Sequence, residues 1–179
     1  GVLFRTKAFQ PDYRYTLNFV DAWSVDEVVL LDITRPGTGD RANFLRVVEE
    51  FASRCFVPLA AGGGVRTMED VRILLRSGAD KVIVNTRVVE HPAFITDIAA
   101  RYGAQCAVVS MDARRNADGA YEVVTHCGTQ QTGRDPAVWA REAQERGAGE
   151  IIITSVERDG SLEGYDNTLN ARVAAAVDI

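Results

Sequence analysis

Val28-Val29-Leu30-Leu31 is a short apolar run that stops at Asp32. The same arrangement recurs along the chain. Residues 57–61 run into Gly62-Gly63-Gly64, 82–84 into Asn85-Thr86, 106–111 into Asp112, and 151–153 into Thr154-Ser155, with Asp159-Gly160 just beyond. Apolar runs of this length predict strands buried on both faces, as in a parallel sheet. Polar residues and glycines at their carboxyl ends predict a (β/α) barrel, which gathers its chemistry at that rim.

The segments between these runs read as helices. Phe44, Leu45, Val48 and Phe51 share one helical face. Thr67-Met68-Glu69-Asp70 predicts a capping box opening a helix whose apolar face is Met68, Val71, Leu74 and Leu75, with Gly78 at its end. Phe94, Ile95, Ile98 and Tyr102 predict another helix closed by Gly103. Asp135-Pro136 opens a further one, stopped by Gly147. Asp118-Gly119, before the alternating segment 121–127, predicts a β-hairpin inserted after Asp112.

Residues 24–33 are echoed by residues 148–156, with Glu27 and Glu150 separated by 123 positions. That period is about half of a barrel of about 250 residues, and it predicts two similar halves. Residues 1–179 are expected to form a single partial (β/α) barrel domain.

Composition narrows the function. A formal charge of −5 argues against nucleic acid as a partner. No apolar stretch is long enough to span a membrane, and no secretory signal opens the chain. Cys55, Cys106 and Cys127 read as reduced thiols of a cytoplasmic protein, and His91 and His126 are too few for a histidine metal centre. No metal and no cofactor are expected.

Gly63 and Gly64 lie between a strand and a capped helix, where backbone amides and the helix dipole suit a phosphate, although close packing also favours glycine. Asn85 and Thr86 suit a phosphate too, or cap the turn that follows. Asp112 is the candidate general acid or base, the alternative being an ion pair with Arg114 or Arg115. Asp32 holds the equivalent position at an earlier strand. Asp159 and Gly160 suit a ligand hydroxyl and a phosphate, or form a plain turn. His126 beside Cys127 is discounted as a nucleophile–base pair, because neighbours on a strand face opposite ways. Glu27, Lys81 and Glu150 precede alternate strands, as an ionic ring or as ordinary surface charge.

Together these stretches resemble a known family. Val28-Val29-Leu30-Leu31-Asp32-Ile33-Thr34, Ala61-Gly62-Gly63-Gly64-Val65, Gly78-Ala79-Asp80-Lys81-Val82 and Asn85-Thr86 are similar to the cyclase subunit of imidazole glycerol phosphate synthase. So are Ser110-Met111-Asp112-Ala113-Arg114-Arg115, residues 147–160, and Gly164-Tyr165-Asp166, in the same order and spacing over most of 24–168.

The resemblance implies an incomplete TIM (β/α)8 barrel, about strands two to six with their helices. It implies an ammonia-dependent lyase of histidine biosynthesis, forming a heterodimer with a glutaminase subunit. The substrate would be a ribulosyl aminoimidazole carboxamide nucleotide carrying two phosphates. Asp112 would be catalytic. Gly63, Gly64, Asn85, Thr86, Asp159 and Gly160 would bind phosphate, with Asp32, Thr154 and Ser155 beside them on the rim. Glu27, Lys81 and Glu150 would form the ammonia gate, and Asp80 would face the glutaminase.

The chain also departs from the family pattern. The first strand, with a second catalytic aspartate and the gate's arginine, and the last two strands are expected to lie outside this sequence. Cys127 stands where the family has a serine. Phe4-Arg5-Thr6-Lys7-Ala8-Phe9 resembles a paralogue associated with surface-polysaccharide synthesis, an ammonia-channelling subunit for sugar amidination. A related phosphoribosyl isomerase, and a non-catalytic phosphate-binding scaffold that activates a glutaminase, are the other readings.

Overall fold

A computed structural model describes residues 25–34 and 41–179. The stretch 4–9, which resembles the paralogue, lies outside these residues. The described residues divide into two compact units, broken between Ile83 and Val84.

The first unit alternates strands and helices: β1 (Val28–Leu31), α1 (Arg41–Arg54), β2 (Leu59–Gly62), α2 (Met68–Arg76) and β3 (Lys81–Val84), whose last residue falls past the break. β2 lies between β1 and β3, parallel to both, with Leu31 opposite Gly62 and Ala61 opposite Val82. β2 is buried throughout, and Val48, Phe51, Val71 and Leu74 close over the sheet. β1 differs from the expectation of burial on both faces. Val29, Leu31 and Ile33 alternate onto one side of the strand and are 47%, 37% and 39% exposed.

The sequence signals at α2 hold in atomic detail. Thr67 Oγ1 accepts from the Asp70 amide, and Asp70 Oδ2 accepts from the Thr67 amide, completing the capping box. Arg72 and Glu69 form a close ion pair on the exposed face.

The second unit contains α3 (Thr86–Glu90), α4 (Ala93–Tyr102), β4 (Ala107–Arg115), β5 (Tyr121–Thr125), β6 (Gln130–Gln131), α5 (Pro136–Glu145), β7 (Glu150–Ser155) and α6 (Asn167–Ala174). β4 runs parallel to β7, with Asp112 opposite Thr154. The hairpin is present: β5 pairs antiparallel with the end of β4, and Asn116 Oδ1 holds the turn by accepting from the amides of Asp118 and Ala120. This pairing carries β4 past Asp112 to Arg115, so Asp112 lies within the strand rather than at its end.

α5 opens as expected. Pro136 takes the first helical position, and Asp135 accepts from the amides of Ala137 and Val138. Trp139, Ala140 and Ala143 of α5 are buried, as are Ile95 and Ile98 of α4 and Met111 of β4. All six residues of β7 are only half-buried. Among the described residues no helix is long and apolar enough to cross a membrane.

Candidate active site

Asp112 is 5% exposed at the centre of a polar cluster in the second unit. Asn85 Nδ2 donates to Asp112 Oδ2 at 3.1 Å. Thr154 stands opposite Asp112 in the β4–β7 register, and its hydroxyl favours the charged carboxylate weakly. Burial is the main force raising the pKa of Asp112 above the ordinary carboxylate value, and the negative charge of Asp159 pushes the same way. The hydrogen bond from Asn85, and more weakly the Thr154 hydroxyl, oppose that rise without cancelling it.

The ion-pair alternative for Asp112 does not hold. Arg114 Nη1 donates to the Gly128 carbonyl. Arg115 donates to the Gly119 carbonyl and to the Tyr121 hydroxyl. The capping alternative for Asn85 does not hold either: its side chain makes no capping bond to α3 and turns to Asp112 instead. Asn85 Oδ1 is buried with no protein partner. Thr86 Oγ1 accepts from the His126 amide at 3.3 Å.

β7 delivers the neighbouring groups. The amide of Asp159 bonds the Ser155 carbonyl at 2.9 Å, and Gly160 takes φ 67°, so the chain turns back directly after the strand. Thr154, Ser155, Asp159, Gly160, Tyr165 and Asp166 line a cleft of about 370 Å³. Ser155 Oγ is turned to Asp166 Oδ2 at 3.3 Å.

The glycine turn belongs to the first unit. The Asp32 amide donates to the Gly62 carbonyl at 2.8 Å. A Cβ on Gly63, at φ +105°, would stand 2.2 Å from the Asp32 carbonyl oxygen, so this glycine is required by packing whatever else it does. Gly64 faces a guanidinium, its would-be Cβ 3.2 Å from Arg41 Nη1. Arg41 also donates to the Gly63 carbonyl at 3.4 Å and pairs with Asp70 at 3.4 Å. Asp32 Oδ1 accepts from the Thr34 amide, beside a shallow cleft of about 290 Å³ that includes Asn43 and Phe44.

At the opposite end of the first unit's strands, Lys81 Nζ lies 3.0 and 3.1 Å from the two carboxylate oxygens of Glu27. Asp80 is exposed, but its Oδ2 accepts from the Leu59 amide at 2.9 Å and so fastens the start of β2. Glu150 opens β7 in the second unit.

The sequence reading misplaced His126 and Cys127. β5 ends at Thr125, and both residues sit in the following turn with φ of 51° and 59°. The opposite-faces argument therefore does not apply to them. His126 Nε2 faces Glu90 at 3.4 Å instead. None of the three cysteines is in a disulfide.

The sequence reading also missed Arg41, Tyr121 and Asp166. Arg41 reaches the glycine turn from the first position of α1. Tyr121 donates to Asp166 Oδ1 at 2.8 Å across 45 residues. A single aromatic in an alternating strand carries no signal of so distant a partner. Asp166, ahead of a helix, reads only as a cap, which it also is, accepting from the Leu169 amide.

The residues of this cluster carry the family's motifs, and comparison with known proteins agrees. The chain is 46% identical over 154 residues to the imidazole glycerol phosphate synthase subunit HisF of Alkaliphilus metalliredigens, covering 86% of this chain and 61% of that one. It is 47% identical over 158 residues to the subunit of the same name from Acidobacterium capsulatum, covering 88% of this chain and 62% of that one. The chain thus spans about three-fifths of the length of these curated relatives. The model of the histidine biosynthesis protein family matches residues 1–179. The chain belongs to that family of TIM barrels, and its parallel strand–helix–strand units are those of an incomplete barrel.

Proposed function

We propose that this chain is part of an ammonia-dependent cyclase, the lyase half of imidazole glycerol phosphate synthase. The observation that carries the proposal is the buried Asp112 held by Asn85, opposite Thr154 and under the charge of Asp159, in a chain similar to subunits of that name. The relatives' names favour the histidine pathway over the polysaccharide paralogue.

In this reading ammonia adds to the ribulosyl ketone carbon, and the ketone oxygen leaves as water. The nitrogen so introduced then closes the ring on the one-carbon bridge, whose bond to the amino nitrogen of the carboxamide ribotide breaks, releasing imidazole glycerol phosphate and the ribotide. Both steps move protons at nitrogen and oxygen. Asp112, whose proton affinity is raised by burial, takes a proton in one step and returns it in the next. Asn85 holds one carboxylate oxygen, leaving the other toward substrate, while the unpartnered Asn85 Oδ1 is an acceptor for a substrate N–H or O–H.

The phosphates fall to the strand-end loops. Gly63, Gly64, Asn85 and Thr86 serve one, with Arg41 adding positive charge at the glycine turn. Asp159 and Gly160, with Thr154 and Ser155 in the same cleft, help hold the other end, and Asp32 serves the substrate from its own strand end. Glu27, Lys81 and Glu150 gate ammonia, and Asp80 meets a glutaminase partner in a heterodimer. Residues 1–179 belong to one barrel domain of a cytoplasmic protein.

The test is turnover of the nucleotide by the full-length protein with ammonium salts. The reading predicts imidazole glycerol phosphate without any glutaminase. No product from ammonium, with glutaminase activation intact, would identify a non-catalytic scaffold.

A further inference from the structure

Four side chains tie the hairpin to the end of β7. Arg115 Nη2 donates to the Tyr121 hydroxyl at 2.6 Å, with its guanidinium 4.2 Å from the centre of the Tyr121 ring. Tyr121 in turn donates to Asp166 Oδ1 at 2.8 Å. Ser155 Oγ donates to Asp166 Oδ2, and the Leu169 amide donates to Asp166 Oδ1. The Arg115 amide also donates to Glu157 Oε1 at 3.0 Å, in the loop after β7.

The chain of bonds spans the segment that carries Asp159. Arg115 is three residues beyond Asp112 on β4, and Ser155 is the last residue of β7. Asp166 closes the loop 156–165 by capping α6. Tyr121 is 5% exposed, and its hydroxyl meets a half-buried, ionised carboxylate, which makes the bond charge-assisted. The hydroxyl of Ser155 is thereby held by Asp166 rather than aimed at a ligand.

We propose that the Arg115–Tyr121–Asp166 chain is a positioning device, with Tyr121 as its key residue. It clamps the hairpin to both ends of the 156–165 loop and holds Asp159 and Gly160 in register with Asp112. This deepens the function proposed above, and its kinetic arm rests on that function, whereas its exchange arm does not.

The test is Tyr121→Phe in the full-length protein, which keeps the ring and removes the donor. Amide hydrogen exchange at 156–165 is expected to rise about fivefold to tenfold, the effect of one charge-assisted hydrogen bond, with little change in α4. With ammonium salts, KM for the two-phosphate nucleotide is expected to rise by a similar factor, with kcat within about twofold, because a displaced loop weakens binding before chemistry. Asp166→Ser keeps a capping hydroxyl too short to reach the phenol, and the same changes are expected, so a poorly folding Tyr121→Phe leaves the idea testable. Exchange at 156–165 unchanged in both variants would overturn the proposal. A collapse of kcat with KM unmoved would also overturn it, since Tyr121 would then act in the chemistry. If wild type turns over no nucleotide, the cyclase reading fails, and the exchange result alone decides the clamp.

Discussion

Gly63 has no room for a methyl group. The nearest atom to its would-be Cβ is backbone, not a side chain that can swing aside. Gly63→Ala is therefore expected to destabilise the fold by about 3 kcal/mol in denaturant melts, combining a left-handed conformation with a steric clash. Gly64→Ala should be milder, because its neighbour is the mobile end of Arg41. Asp112 behaves in the opposite sense. A raised carboxyl pKa means the folded state holds its proton more tightly than the unfolded chain, so the favourable contribution exists at low pH and is lost as pH rises through the folded value. Asp112→Asn is expected to raise Tm at neutral pH, with the gain disappearing as pH falls into the ordinary carboxylate range. Equal Tm values at both pH extremes would contradict that sign. At this scale the sequence was legible where a polar residue terminates an apolar run, as at Asp112 and Asn85. It was silent where a partner arrives from far along the chain, as Arg41 does over 22 residues.

The elements obey their local signals where those signals are backbone bonds within a few residues. The Thr67–Asp70 box is readable in four letters and forms as read. Thr67→Ala is expected to cost about 1 kcal/mol, checked by chemical denaturation. Burial pushes the Asp70 carboxyl up, but the Thr67 hydroxyl and the amides of Arg66 and Thr67 outweigh it, leaving the pKa lowered. Its stabilising contribution is therefore present at neutral pH and lost as pH falls through that lowered value. An Asp70→Asn protein should show a flatter acid limb in a stability–pH curve. The boundary of β4 was not legible in the same way. Nothing within residues 107–112 announces that a strand ten residues later will extend its ladder to Arg115. The turn at His126 and Cys127 was missed for a related reason, since alternation alone does not mark the point where pairing stops.

For the whole molecule, the repeat of apolar runs and polar ends was enough to read parallel strand–helix units, and the family match places them in a TIM barrel. Activity is harder to read from pattern, because it depends on one protonation state in one buried cluster. The Glu27–Lys81 pair carries a separate expectation. If it gates ammonia, Lys81→Met in the full-length protein with its glutaminase lowers glutamine-driven turnover several-fold and leaves ammonium-driven turnover unchanged. Equal losses with both nitrogen sources would remove the gate role. The account turns most directly on Asp112, and Asp112→Asn assayed with ammonium salts and the two-phosphate nucleotide measures it. The prediction is a fall in kcat of about a hundredfold or more with nucleotide binding retained, the scale of a lost general acid–base group. Wild-type kcat in that variant would contradict it.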